Sequence, residues 1–241
     1  MTHPPGGYRA RVPAAADMFD RTARRPLLIA HRVGNHPAEI PAAVEAGADL
    51  IEADVHLYRR RLEVRHTKTL GILPWLWDRW YLVPAGAERL VLSVVVESTP
   101  PEATLMLDLK GWHPWLGNRI ATAMREVAPD RSYVVSGRQW QMLSAFESLD
   151  NVTIIHSARS ARELRAMPRR IAGHRTDAVC IHRQLLQVPR WVELARRLAP
   201  TVLTWPIVDQ ATADEAIGHG ADGLIVDGID VLATLAAQRA G

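Results

Sequence analysis

Apolar runs and helix-type segments alternate along most of this 241-residue chain. The runs are Leu27–His31, Leu50–Val55, Thr104–Leu109, Ser132–Ser136, Val152–His156, Ala178–His182, Thr201–Trp205 and Gly223–Asp227. They read as nearly continuous apolar stretches, the pattern of strands covered on both faces in a parallel sheet. Helical periodicity fills the gaps over Pro37–Ala46, Pro114–Val127, Gln139–Leu149, Ser160–Met167, Pro189–Leu198 and Thr212–His219. Gly47 and Gly220 stand where C-caps belong. Strand units alternating with helices, in a chain near the ~250 residues typical of such folds, predict an α/β protein, a (β/α)8 TIM barrel. The alternative, an open doubly wound sheet, lacks an obvious Gly-rich phosphate loop.

A further β-like run, Leu62–His66, follows the second strand after only Leu57–Arg61. That is too short for a parallel crossover, so the two runs should form an antiparallel hairpin. With its tip near Arg60, the hairpin returns His66 to the level of Asp54. Residues 1–25, rich in Pro, Gly, Ala and Arg, read as an N-terminal arm with one short helix over Pro13–Arg24. Residues 26–241 then form a single barrel domain, with 67–102 a short lid-like insertion. The insertion holds Trp75, Trp77, Trp80 and Tyr81 around Pro74. It is either a hydrophobic cover packed on the barrel or a lid that meets acyl chains or a membrane surface.

Composition narrows the partners. A net charge of +3 is mild and predicts no nucleic-acid partner. Cys180 is alone and flanked by Val179 and Ile181, so it reads as a buried small hydrophobe without a disulfide. No signal peptide and no run of ~20 apolar residues is seen, which leads to the expectation of a cytoplasmic protein. Peripheral membrane contact is the lid's sharper alternative. No pattern in the chain speaks to oligomeric state. The basic residues are almost all Arg; the lysines are Lys68 and Lys110. A compact point charge at the end of a strand is a specific reason for Lys110.

Barrel active sites lie at the C-terminal ends of the strands. His31 and Arg32 end the first run, Glu52 and Asp54 the second, Asp108 and Lys110 the third, and Trp205 and Asp227 the last two. Glu52 and Asp54 share parity and leave one face of their strand, as do Asp108 and Lys110. Three neighbouring carboxylates are costly to bury without a cation. A divalent metal, Mg2+ or Ca2+, removes that repulsion and accepts oxygen ligands.

The order of these pieces resembles the glycerophosphodiester phosphodiesterase family. The resemblance runs through His31-Arg32, Ile51-Glu52-Ala53-Asp54-Val55 after Ala46-Gly47-Ala48-Asp49, a hairpin ending in His66, and Leu107-Asp108-Leu109-Lys110. It continues through Tyr133–Ser136, Leu203-Thr204-Trp205 and Gly220–Asp227. It implies hydrolysis of phosphodiesters with a bound divalent metal. Carried over, His31 and His66 are the general acid and base, and Glu52, Asp54 and Asp108 the metal ligands. Arg32 and Lys110 hold the phosphate, and Trp205 lines the alcohol pocket. The implied substrate is a small-molecule phosphodiester or a lysolipid. Alternatives are a phospholipase D-like or C-like enzyme on lysophospholipids or another lipid phosphodiester, and an inactive barrel that binds phosphorylated ligands. The chain departs from the family's pattern at His36–Ile40, at the hairpin tip Tyr58–Arg61, at Thr67 after the second His, and at Asp108, where Glu is usual.

Overall fold

The computed structural model describes Phe19 and residues 25–69, 75–78, 81–84 and 89–240. The strands are β1 (Leu27–Ala30), β2 (Leu50–Tyr58), β3 (Arg61–Val64), β4 (Lys68–Thr69), β5 (Trp75–Asp78), β6 (Tyr81–Pro84), β7 (Thr104–Leu109), β8 (Tyr133–Gly137), β9 (Val152–Ala158), β10 (Ala178–His182), β11 (Thr201–Ile207) and β12 (Gly223–Val226). Each of the eight predicted runs is a strand. Strands β1, β2 and β7–β12 are parallel neighbours, and β1 pairs with both β2 and β12, so the sheet closes into a (β/α)8 barrel. β3 returns antiparallel on β2, with Val55 opposite Val64. The helix expected over Pro13–Arg24 lies, apart from Phe19, outside the described residues, as do Pro74 and Trp80.

Alternation along the strands divides the core in two. Ile29, Leu50, Met106, Val134, Ile155, Cys180, Leu203 and Ile225 form one buried cluster, the apolar plug of the barrel. Phe19 joins this plug, and its carbonyl accepts a hydrogen bond from Thr201 Oγ1 at 3.1 Å. The opposite parity, including Leu28, Ile51, Leu105, Leu107, Val135 and Val179, packs against the helices.

Much of the arginine content is structural. Asp49, Asp177 and Asp222 each precede a strand and accept the backbone N–H of Leu28, Ile154 and Val202, respectively, on the neighbouring strand. Each is ion-paired to an arginine, Arg239, Arg175 and Arg196. This thrice-used latch ties strand starts together at the end of the barrel opposite the mouth. Arg131 works similarly, donating to the carbonyls of Val96, Thr99, Pro100 and Ala103.

Two segments differ from the periodicity reading. Gln139–Leu149 contains a 3-10 helix over Trp140–Phe146 instead of an α-helix. Trp140, Leu143 and Phe146 are buried at a spacing of three, which a helix of three residues per turn places on one face. The Val-rich stretch Leu92–Ser98 is α-helical despite its β-branched content. Leu92, Val95 and Val96 are buried at helical spacing, so packing overrides propensity. This helix covers the crossover from the hairpin to β7. Earlier in the same 67–102 segment, β4, β5 and β6 form a separate antiparallel sheet.

Candidate active site at the barrel mouth

The site begins where β1 ends. Arg32 takes a left-handed conformation, φ 60°, which turns its backbone N–H onto Glu52 Oε2 at 2.6 Å. The loop then passes so close to β2 that a Cβ on Gly34 would lie 2.6 Å from the Ala53 Cβ and 2.9 Å from the Glu52 carbonyl oxygen. Only glycine permits that approach. It seats Asn35 against Asp54, where the amide Nδ2 donates to Asp54 Oδ2 at 2.8 Å and Oδ1 accepts from the Asp54 backbone N–H at 2.9 Å.

The register aligns Asp54 with Asp108, and Asp108 with Ser136. Asp108 accepts hydrogen bonds from Ser136 Oγ, at 2.9 Å, and from Lys110 Nζ. Lys110 also lies 2.9 Å from Asp54 Oδ1, so its ammonium bridges two of the carboxylates. Glu52 and Asp54 are buried, Asp108 half-buried. One oxygen from each can be chosen so that all three lie within 4.8 Å of one another.

Electrostatics show which kind of group this arrangement suits. Burial, reinforced by the Asp54 charge, pushes the Glu52 carboxyl up to about 8. Burial acts on Asp54 in the same direction, but the Lys110 ammonium and the Asn35 hydrogen bond outweigh it and hold that carboxyl at about 2. Burial opposes the Lys110 charge, yet Asp108, Asp54 and Glu52 together raise its pKa above the ordinary lysine range. Among the described residues, Asp54 Oδ1 has the Lys110 ammonium 2.9 Å away but no hydrogen-bond donor of good geometry. Clustered oxygen donors with an unsatisfied lone pair and a carboxyl driven toward protonation fit a hard divalent cation.

His31 stands beside this cluster with Nδ1 hydrogen-bonded to Asp227 Oδ1, after the far end of the chain has closed the barrel. Burial alone lowers the imidazole pKa. The Asp227 bond and the charges of Glu52 and Asp227 outweigh it, so the net shift is upward. Asp227 moves the other way, because the His31 contacts overcome its own desolvation.

His66 follows Arg65, whose backbone N–H donates to the Asp54 carbonyl at 3.0 Å. The hairpin therefore returns His66 to the level of Asp54, as its length implied. The Arg32 guanidinium lies 3.9 Å from Asp54 Oδ2 and is partly exposed. Trp205 is half-buried, packs on the apolar plug and meets the His182 ring edge-on at 5.7 Å. The contacts thus join Arg32, Glu52, Asp54, Asp108 and Lys110 directly, with His31, bonded to Asp227, next to Arg32 in the chain and His66 and Trp205 on neighbouring sectors of the rim.

Pattern reading assigned no role to Asn35, Ser136 or His56, and did not pair Asp227 with His31. Asn35 carries no periodic signal; the close approach at Gly34 is what places it. His56 shares parity with Glu52 and Asp54, which is its only sequence cue. It is buried with Nε2 unpartnered among the described residues, and burial, with Arg65 next, drives its pKa to about 3.

No protein-family model matches the sequence, and no curated protein matches it. Solved structures do match. A glycerophosphodiester phosphodiesterase from Thermotoga maritima superposes with a TM-score of 0.68 at 16% identity, covering 88% of this chain and 98% of that one. A phosphodiesterase from Oleispira antarctica, in complex with the product sn-glycerol-3-phosphate, gives 0.66 at 17% identity over 91% and 99%. A glycerophosphodiester phosphodiesterase from Parabacteroides distasonis gives 0.62 at 20% identity over 90% and 100%. The chain has the barrel fold of the glycerophosphodiester phosphodiesterases of known structure.

Proposed function

We propose that this protein is a metal-dependent phosphoric diester hydrolase acting on glycerophosphodiesters, releasing glycerol phosphate and an alcohol. The observation that carries this reading is the carboxylate trio of buried Glu52 and Asp54 and half-buried Asp108, flanked by Lys110, Arg32 and the Asp227-bonded His31, at the mouth of this barrel. A divalent ion held by the trio would supply Lewis-acid polarisation of the phosphoryl group.

The chain's own residues account for the rest. Arg32 and Lys110 place two cationic groups where phosphoryl oxygens gather charge. A substrate hydroxyl beside the phosphate attacks phosphorus and loses its proton to His66. The leaving alcohol takes a proton from His31, whose raised pKa suits the acid. Water then opens the cyclic phosphate, with the two imidazoles exchanging roles. Trp205, seated on the plug, walls the alcohol side. The Oleispira neighbour's bound sn-glycerol-3-phosphate supports a glycerol phosphate product here.

A second reading, hydrolysis of a lysophospholipid or related lipid diester by the same residues, draws on the small β4–β6 sheet. Trp75, Trp77 and Leu82 are exposed on it, and Trp77 pairs with Leu82. Product analysis on glycerophosphocholine, glycerophosphoethanolamine and micellar lysolipid, with Mg2+, Ca2+ or chelator, tests both. Turnover of the soluble diesters that chelator abolishes supports the first. Turnover confined to lysolipid supports the second. Tight binding without turnover of any of them defeats both and leaves a barrel that only binds phosphorylated ligands.

A further inference from the structure

Beside the mouth lies a surface strip that the catalytic reading does not use. The loop after Lys110 carries Trp112 and Trp115, which are 79% and 64% exposed. Trp115 stands one helical turn before Arg119, whose N–H bonds its carbonyl. The Arg119 guanidinium reaches across to the Arg60 carbonyl at the hairpin tip, at 3.4 Å. Trp115, Arg119, Arg60 and Arg61 are therefore neighbours, and Trp112 stands three residues before Trp115 on the same loop.

Two features of this face bear on what it could bind. The first is charge. At the opposite end of the barrel, Arg131, Arg175, Arg196 and Arg239 are spent on carbonyls and aspartates. Among the described residues, Arg60, Arg61 and Arg119 have no ion-pair partner. They rim a groove of about 280 Å³ with an apolar floor that includes Leu92, Val96 and Met124; Glu126 is the acidic residue lining it. The second is the tryptophans. A soluble surface gains nothing from two indoles this open to water, whereas the indole ring settles at the headgroup level of a bilayer. Arg59 and Arg60 also hold left-handed backbone, φ 44° and 68°, which projects the tip.

We propose that this Trp–Arg strip docks the barrel on an anionic lipid surface, with the arginines on headgroup phosphates and the two indoles at the interface. Unpaired guanidiniums match anionic headgroups, and the exposed indoles match the interface below them. Docking would set the mouth, two residues from Trp112 at Lys110, against the membrane. The β4–β6 face bearing Trp75, Trp77 and Leu82 adds apolar area, since Lys68, two residues past His66, pairs with Trp77.

The test is co-sedimentation of the full chain with vesicles of phosphatidylcholine alone and of an equimolar phosphatidylcholine–phosphatidylglycerol mixture, without substrate or metal. The protein should partition onto the anionic vesicles, less so at high salt, with a blue-shifted Trp emission. Each basic side chain near such a surface contributes roughly fivefold, so Arg60→Gln with Arg61→Gln should lower partitioning by about 25-fold. Trp112→Ala with Trp115→Ala should lower it at least roughly tenfold and remove most of the emission shift. Soluble diester turnover should survive the arginine pair. If the tryptophan variant does not fold, the exposed arginine pair decides alone. The proposal is overturned if wild type stays in the supernatant, binds both vesicles equally, or is matched by the arginine variant. Because binding is read without turnover, none of these results bears on the catalytic reading.

Discussion

Asn35 and Asp54 grip each other twice, the amide donating to the carboxylate at 2.8 Å and accepting from the backbone N–H at 2.9 Å. The pair fixes the Asp54 rotamer, aims Oδ1 toward Lys110 and Asp108, and ties the first loop to β2. With Asp54 the proposed metal ligand, Asn35 is an outer-shell partner, and such partners tune metal affinity.

Asn35→Ala should therefore weaken Mg2+ or Ca2+ binding by roughly 10–100-fold while the barrel stays folded. Calorimetric titration of wild type and variant measures this. Equal affinities would mean that Asp54 is held by other contacts.

The Glu52 carboxyl gives a second prediction. Its pKa without a cation is about 8, chiefly through burial and then through Asp54. Near neutral pH it is mostly protonated, so a divalent ion that takes Glu52 as ligand must displace that proton. Titration in buffers of different ionisation enthalpy should show release of nearly one proton at neutral pH. The release should fade by about pH 9, where Glu52 is already ionised, and disappear in Glu52→Gln. Buffer-independent binding at neutral pH would take Glu52 out of the ligand set.

Sequence pattern carried the barrel and half of the site for identifiable reasons. Strands covered on both faces leave unbroken apolar runs, so β7 and β10 were legible to the residue. Parity alone put Glu52 with Asp54 and Asp108 with Lys110. Hairpin length returned His66. What pattern could not carry was contact across the fold. Asn35 meets Asp54 at a separation of 19 residues and His31 meets Asp227 at 196, with no periodicity to mark either pair. Trp140–Phe146 was misread because apolar residues three apart satisfy both helix types over a short span. Leu92–Ser98 was hidden by valines whose propensity favours strands.

His156 predicts how stability depends on pH. It is 2% exposed and bonds Thr176 at 3.2 Å; burial, then His174, lowers its pKa from 6.5 to about 4. The unfolded chain binds this proton more readily than the folded one. The neutral buried ring thus contributes stability fully above pH 6.5 and loses it as pH falls toward 4, on the order of 3 kcal/mol in all. Denaturant curves of wild type and His156→Gln should converge as the solution is acidified through that window. Parallel pH profiles would show that the ring charges without cost. The opposing Glu52 contribution is common to both proteins and cancels in the difference.

The His31–Asp227 bond gives a test of the proposed acid. In the metal-free protein the His31 imidazole should titrate above 6.5, because burial is outweighed chiefly by the Asp227 hydrogen bond. Asp227→Asn removes the charge and keeps the shape, so the titration, followed by NMR, should move down. If His31 is the acid, its protonated form is the active one, and the alkaline limb of the pH–rate profile follows its pKa. That limb should shift to lower pH in Asp227→Asn. His31→Ala and His66→Ala should each lower kcat by ~10²-fold or more. The double variant should lose less than the product of the two, because the imidazoles act as a unit. A limb that stays in place in Asp227→Asn would assign the acid to another group, with His66 the first candidate. Near-normal turnover in a folded His31→Ala protein would remove the dyad from the chemistry.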